Sequence, residues 1–334
     1  MKLLSDWHIH SRNSCDGACL MVSDLVREAK QKGVSNFGLT DHLHTPHNLP
    51  DIARSRAEFL SNDPSPHFHF GIEVSCVSQW EIREIAGGQH KNPVYGLRSG
   101  GKAGCALTIG IMADDIRKYQ IEYVVGGAHW PMYVPMEREA VIRDYHRQNM
   151  FLAAHPLVDI VAHPWWWMGH WIDNNGKYTA EPWFDDFSVI PRSMHNEFAS
   201  AAIEFNTVVE VNIGANLLNR QYPEGFVAQY LEYLAELQSQ GVRLSIGSDC
   251  HAAHYDTDFE KTSRMLESTG ITDDLWCLEP RADKKKSSTV AADGVPPPLN
   301  RSVCAGHVVL LGGERPSLRY KRSRRASGRA RASP

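Results

Sequence analysis

Leu3-Leu4-Ser5-Asp6-Trp7-His8-Ile9-His10 is a short strand-like run that ends in two histidines separated by one residue. In an extended chain, residues i and i+2 point to the same side, so both imidazoles face one end of whatever sheet this segment joins. The same kind of ending recurs along the chain. Run 35–40 leads into Asp41-His42, run 68–74 carries Gly71-Ile72-Glu73, and run 123–128 leads to His129. Run 159–162 leads to His163-Pro164, run 208–212 contains Glu210-Val211-Asn212, and run 243–248 leads to Asp249-Cys250-His251. Between these runs the 3.6-residue period predicts helices over 22–33, 136–152, 191–204, 223–240 and 257–269. Strand alternating with helix predicts an α/β chain with a parallel sheet, as a seven-stranded (β/α) barrel or an open sheet. In the barrel, the C-terminal strand ends meet at one mouth, where sites are built.

The composition narrows the class of protein. The chain has 334 residues, 42% hydrophobic and 22% charged, enough for one large α/β domain or two smaller ones. No stretch approaches the roughly 18 to 20 unbroken apolar residues of a membrane span, and charge comes early at the N-terminus, so no membrane partner is expected. Seven Cys without a C-x-x-C pair imply neither a disulfide framework nor a zinc ribbon, and a cytoplasmic location is expected. Residues 281–334 hold 13 Lys+Arg and 3 Asp+Glu, which leaves 22 and 36 for residues 1–280. The acidic body argues against a nucleic-acid groove, and only the basic tail offers such a surface. The expected organisation is a catalytic domain over 1–280 and a disordered, low-complexity tail over 281–334. The Gly-rich segment 86–108 reads equally as a long loop over a site or as a surface insertion.

Seventeen histidines make up the remaining outlier. A single buried His is usually a satisfied core residue. Six of them crowding one mouth with Glu73, Asp249 and Asp16 would carry a large desolvation cost, which divalent ions offset. Imidazole and carboxylate without thiolate suit Zn²⁺, Mn²⁺ or Fe²⁺. Alternation turns Cys250 to the opposite face, where it packs.

In this order, the HxH of His8 and His10, the TDH of residues 40–42, Glu73, His129, His163-Pro164 and the SDxH of residues 248–251 resemble the PHP (polymerase and histidinol phosphatase) superfamily over residues 6–255. The resemblance implies a distorted (β/α)7 TIM-like barrel with a trinuclear site at the C-terminal strand ends. It implies one metal held by His8, His10, Glu73 and Asp249, a second by Glu73, His129 and His163, and a third by Asp16, His42 and His251. It implies a metallo-phosphoesterase in which a metal-held hydroxide attacks phosphorus, with Glu73, Asp249 and His251 as the catalytic residues. Arg220 lies near where histidinol-phosphatase-like relatives place a phosphate-binding arginine, and Arg12 is a second candidate. Trp130, Trp165, Trp166, Trp167 and Trp171 either wall the mouth for a ring-bearing leaving group or pack the loop onto the barrel.

The leading expectation is hydrolysis of a small phosphomonoester resembling histidinol phosphate. Alternatives are a nucleotide or oligonucleotide phosphoesterase, an amidohydrolase-like C–N hydrolase, and a non-catalytic polymerase-associated module. The complete ligand set disfavours the last.

Overall fold

The computed structural model describes residues 1–62, 64–88, 90–91, 93–166, 183 and 186–278, which fall within the compact unit Met1–Asp293. The expected tail, Trp167 and Trp171 lie outside the described residues.

Seven parallel strands run in the order β1 (Ser5–Asp6), β2 (Asn36–Leu39), β4 (Phe68–Ser78), β6 (Tyr123–Gly127), β7 (Ile160–Ala162), β8 (Val208–Asn212) and β9 (Leu244–Gly247). These are the seven runs expected from the sequence. The two ends of the sheet meet through Trp7 N–H donating to Ile246 O (2.8 Å), Asp249 N–H to His8 O (2.8 Å) and His10 N–H to Cys250 O (3.1 Å). The sheet is thereby nearly closed into an α/β barrel. Two short strands were not anticipated. β3 (His42–Leu43) pairs parallel with β4, and β5 (Leu107–Ile109) pairs antiparallel with the far end of β4. Each is too short to show a period of its own.

Five helices match the expected spans: α1 (Val22–Lys32), α5 (Arg138–Ala154), α6 (Arg192–Glu204), α7 (Glu224–Ser239) and α8 (Phe259–Ser268). α2 (Leu49–Ser61), α3 (Gln79–Ala86) and α4 (Ala113–Tyr119) are additional. α2 buries only Ile52, Ser55 and Phe59, a stripe too thin to read as periodic. α3 opens with a capping box in which the Ser78 hydroxyl accepts from Glu81 N–H and the Glu81 carboxylate accepts from Ser78 N–H. Among the described residues, no helix is long and apolar enough to cross a membrane.

The core has two parts. One large cluster packs helices against the sheet, and a small inner one, Trp7, Tyr123, Val125, Ile160, Ala162 and Val208, plugs the barrel beneath its mouth. Tyr123 crosses the interior to donate to Trp7 O (3.0 Å), and a Cβ on Gly38 would lie 1.9 Å from its hydroxyl, so only glycine fits there. This plug closes the bottom, leaving polar side chains to collect at the C-terminal ends.

Candidate metal centre

Glu73 sits in the middle of β4, completely buried, with five imidazoles around its two oxygens. His8 Nε2 (3.0 Å), His10 Nε2 (3.4 Å) and His42 Nδ1 (2.8 Å) approach Oε2. His129 Nε2 (3.0 Å) and His163 Nε2 (3.1 Å) approach Oε1. Asp249 Oδ1 lies 3.3 Å from His10 and 3.5 Å from His8, while Asp16 Oδ2 lies 2.5 Å from His251 Nε2 and 3.4 Å from His42 Nε2. The nine residues expected at the mouth are therefore assembled at one place.

Potential ligand atoms gather in three overlapping groups, each within 4.8 Å. His8, His10, Glu73 and Asp249 form the first, as the resemblance implies. The second joins Glu73 and His129 with His42, and the third joins His42 and His251 with His10. His163 and Asp16 stand at the margins of these two groups, and His42 lies between them.

The electrostatics call for cations. Burial alone would raise the pKa of Glu73, but His42, His8 and His129 hold it well below the ordinary carboxylate range, and His8 and His10 do the same for Asp249. Conversely, burial opposes protonation of His42, yet Glu73 and Asp16 lift it to about 10. Burial wins at His129 and pushes it down to about 4. Asp16 Oδ1, His42 Nδ1, Glu73 Oε2 and His129 Nε2 are buried and, among the described residues, make no hydrogen bond of good geometry even where an opposite charge is close, which is expensive unless something else binds them.

Outer contacts aim the rings. His8 Nδ1 lies 2.6 Å from Glu210 Oε1, His129 Nδ1 2.8 Å from Ser75 Oγ, and His251 Nδ1 2.8 Å from Asp249 O, so each presents Nε2 inward. Glu210 also accepts from His163 N–H (2.7 Å) and from the Asn212 amide (3.0 Å). The residues present thus fit divalent ions of the imidazole-and-carboxylate type. The sequence marked Glu210 only as a strand ending, and Ser75 gave no signal, because both act through a neighbour. Cys250 packs in the core, as expected.

Above the centre is an open cavity of about 400 Å³, walled by Trp130, Trp166, Tyr95 and Arg98 among others. Trp165 belongs elsewhere. It is 1% exposed and packs with Trp183 and His195, because positive φ at His163 (27°) and at Trp165 itself (67°) breaks the strand alternation and gives Trp166 the cavity face. Asp249 also has positive φ (54°), so unfavourable backbone, costing on the order of 1–3 kcal/mol per residue, is concentrated at this mouth. Neither arginine suggested by the sequence lines the cavity. Arg12 turns outward to Glu58 (3.2 Å), and Arg220 is exposed beyond the π-type turn Ile213–Leu217.

No family model matches the chain. Over 279 residues it is 26% identical to a protein of Shewanella frigidimarina (strain NCIMB 400) named "Probable phosphatase", covering 81% of this chain and 87% of that one. The solved structure described as the "putative histidinol phosphatase hisK" of Listeria monocytogenes gives a TM-score of 0.48 at 11% identity, covering 74% of this chain and 95% of its own. A hyperthermophilic endo-beta-1,4-glucanase gives a TM-score of 0.38 at 11% identity, covering 78% and 96%.

Proposed function

We propose that this chain is a metal-dependent phosphoesterase acting on a small phosphomonoester, histidinol-phosphate-like in size. The observation that carries the reading is Glu73, a buried carboxylate with five imidazoles within 3.4 Å, three of which, His42, His129 and His163, line an open cavity. The 26% identity to the Shewanella protein named as a phosphatase supports the choice of phosphoester over amide bonds.

Divalent ions would be held by His8, His10, Glu73 and Asp249 and, beside them, by His42, His129, His163, Asp16 and His251. Bound there, they would supply Lewis acidity toward a phosphoryl oxygen and lower the pKa of a water. The chain's own groups do the remaining work. Glu210 and Ser75 fix the imidazoles before substrate arrives, so little reorganisation is left for the reaction itself. Trp130 and Trp166 give the cavity an apolar wall that excludes water and receives the leaving group. Ser75 Oγ also lies 2.6 Å from Nδ1 of His44, which burial beside His42 and His129 keeps neutral, so an uncharged imidazole faces the cavity next to the ligands.

The test is turnover of phosphomonoesters, phosphodiesters and amides by protein loaded separately with Zn²⁺, Mn²⁺ and Fe²⁺. Phosphomonoesters are expected to turn over fastest. Amide cleavage without phosphatase activity would overturn the reading.

A further inference from the structure

A phosphomonoester brings two negative charges into a cavity whose walls need a cation to meet the oxygens that the metals do not hold. Among the described residues lining the cavity, Arg98 is the single Lys or Arg. Its Cζ lies 3.7 Å from the centre of the Trp130 ring, and its Nε–H donates to Tyr95 O (3.1 Å). That uses one of its five N–H donors, and among the described residues no carboxylate forms an ion pair with it. The two terminal nitrogens are left for a ligand, in the planar fork that matches two phosphate oxygens.

The segment carrying Arg98 is built rather than inserted. Leu97 N–H donates to Glu81 Oε1 (2.5 Å), so the same carboxylate that caps α3 also fixes the loop. Gly96 has φ 83°, and a Cβ there would lie 2.1 Å from Glu81 Oε1, so this close approach admits only glycine. The Tyr95 hydroxyl donates to Cys15 O (2.7 Å), tying the loop to the residue before Asp16. Beneath, the Gln148 amide donates to Trp130 O (2.8 Å) and steadies the ring on which the guanidinium lies.

We infer that Arg98 binds the substrate's phosphate, gripping two non-bridging oxygens while Trp130 sets the plane of the fork. The inference deepens the phosphoesterase reading and rests on it for the identity of the ligand. Trp130 supplies a flat surface on which a planar guanidinium stacks and stays oriented, which a lysine's point charge does not reproduce, so lysine at position 98 is a poor substitute.

The experiment uses the full chain loaded with Mn²⁺ and its Arg98→Lys and Arg98→Ala variants. Bound metal, inorganic phosphate affinity by calorimetry, and kcat and KM on a phosphomonoester are measured. The expected result is a loss of phosphate affinity and of kcat/KM of about tenfold to a hundredfold in Arg98→Lys, at least as large in Arg98→Ala, with metal content unchanged. Unchanged phosphate affinity, or metal lost in step with it, would overturn the assignment. Wild-type protein that binds phosphate through Arg98 yet hydrolyses no monoester would refute the phosphoesterase reading and leave Arg98 standing. Monoester hydrolysis undiminished in Arg98→Ala would do the reverse.

Discussion

His42 and Glu73 are register partners on adjacent parallel strands, and His42 Nδ1 lies 2.8 Å from Glu73 Oε2. A two-residue strand thus delivers one ligand onto the carboxylate that the other imidazoles share. Because all five rings depend on Glu73, its loss should be felt across the centre.

Glu73→Ala is accordingly expected to lose most bound metal and all measurable turnover, whereas His251→Ala, which pairs with Asp16 and Asp249 at the margin and belongs to one candidate ligand group, should lose a fraction. Elemental analysis of the two variants after identical metal-replete expression checks the order. Equal losses would remove Glu73 from its shared role.

Glu210→Ala should weaken metal affinity by about ten- to a hundredfold although, among the described residues, Glu210 belongs to no candidate ligand group, because His8 loses the partner that orients it and His163 N–H loses its acceptor. Competition with a chromogenic chelator measures the change. Wild-type affinity in the variant would show that the His8 ring is held without Glu210.

Gly127 ends β6 directly under the rings. A Cβ there would come to 2.8 Å from His129 Cε1, 2.9 Å from His163 Cε1 and 3.0 Å from Glu73 Oε1. Gly127→Ala should therefore displace imidazoles and reduce metal content, while the metal-free variant melts close to the metal-free wild type. A variant that binds metal normally would show that the rings can shift at no cost.

Away from the centre, His195 is packed against Trp165, Phe187 and Tyr233, with Nε2 buried and unpartnered among the described residues. Burial, reinforced by His146 and Arg192, depresses its pKa to about 4. The unfolded chain takes up this proton near 6.5 and the folded one only near 4, so its contribution is whole above 6.5 and is lost as pH falls toward 4. His195→Leu should flatten the acid limb between those values, as read from urea unfolding at several pH values in excess chelator. An unchanged slope would mean that the acid limb comes from other groups.

The sequence revealed the centre because strand alternation and the C-terminal convergence of a parallel barrel act on residues that stand within strands or just after them. His8, His10, His42, Glu73, His129, His163, Asp249 and His251 all obey that geometry. Residues that depend on a third dimension escaped it. Arg98 and Tyr95 lie in a Gly-rich segment whose composition says nothing about which face it covers, and tertiary contacts such as those to the Glu81 carboxylate, the Cys15 carbonyl and the Trp130 ring place it over the mouth. For Trp165 the sequence left wall and packing open, and positive φ at His163 and Trp165 turns it to the packing side. Arg12 and Arg220 had the right chemistry, but Glu58 holds the first and the second lies exposed past the strand end.

The meeting of the first and last strands also fixes a timetable. His8 and His10 are made well before Asp249 and His251, which complete their surroundings, and the backbone bonds from Asp249 to His8 and from His10 to Cys250 form only once the later residues are present. A nascent chain therefore carries the early histidines before the cage is finished, and the full set of candidate ligands is assembled only when the last strand has docked against the first.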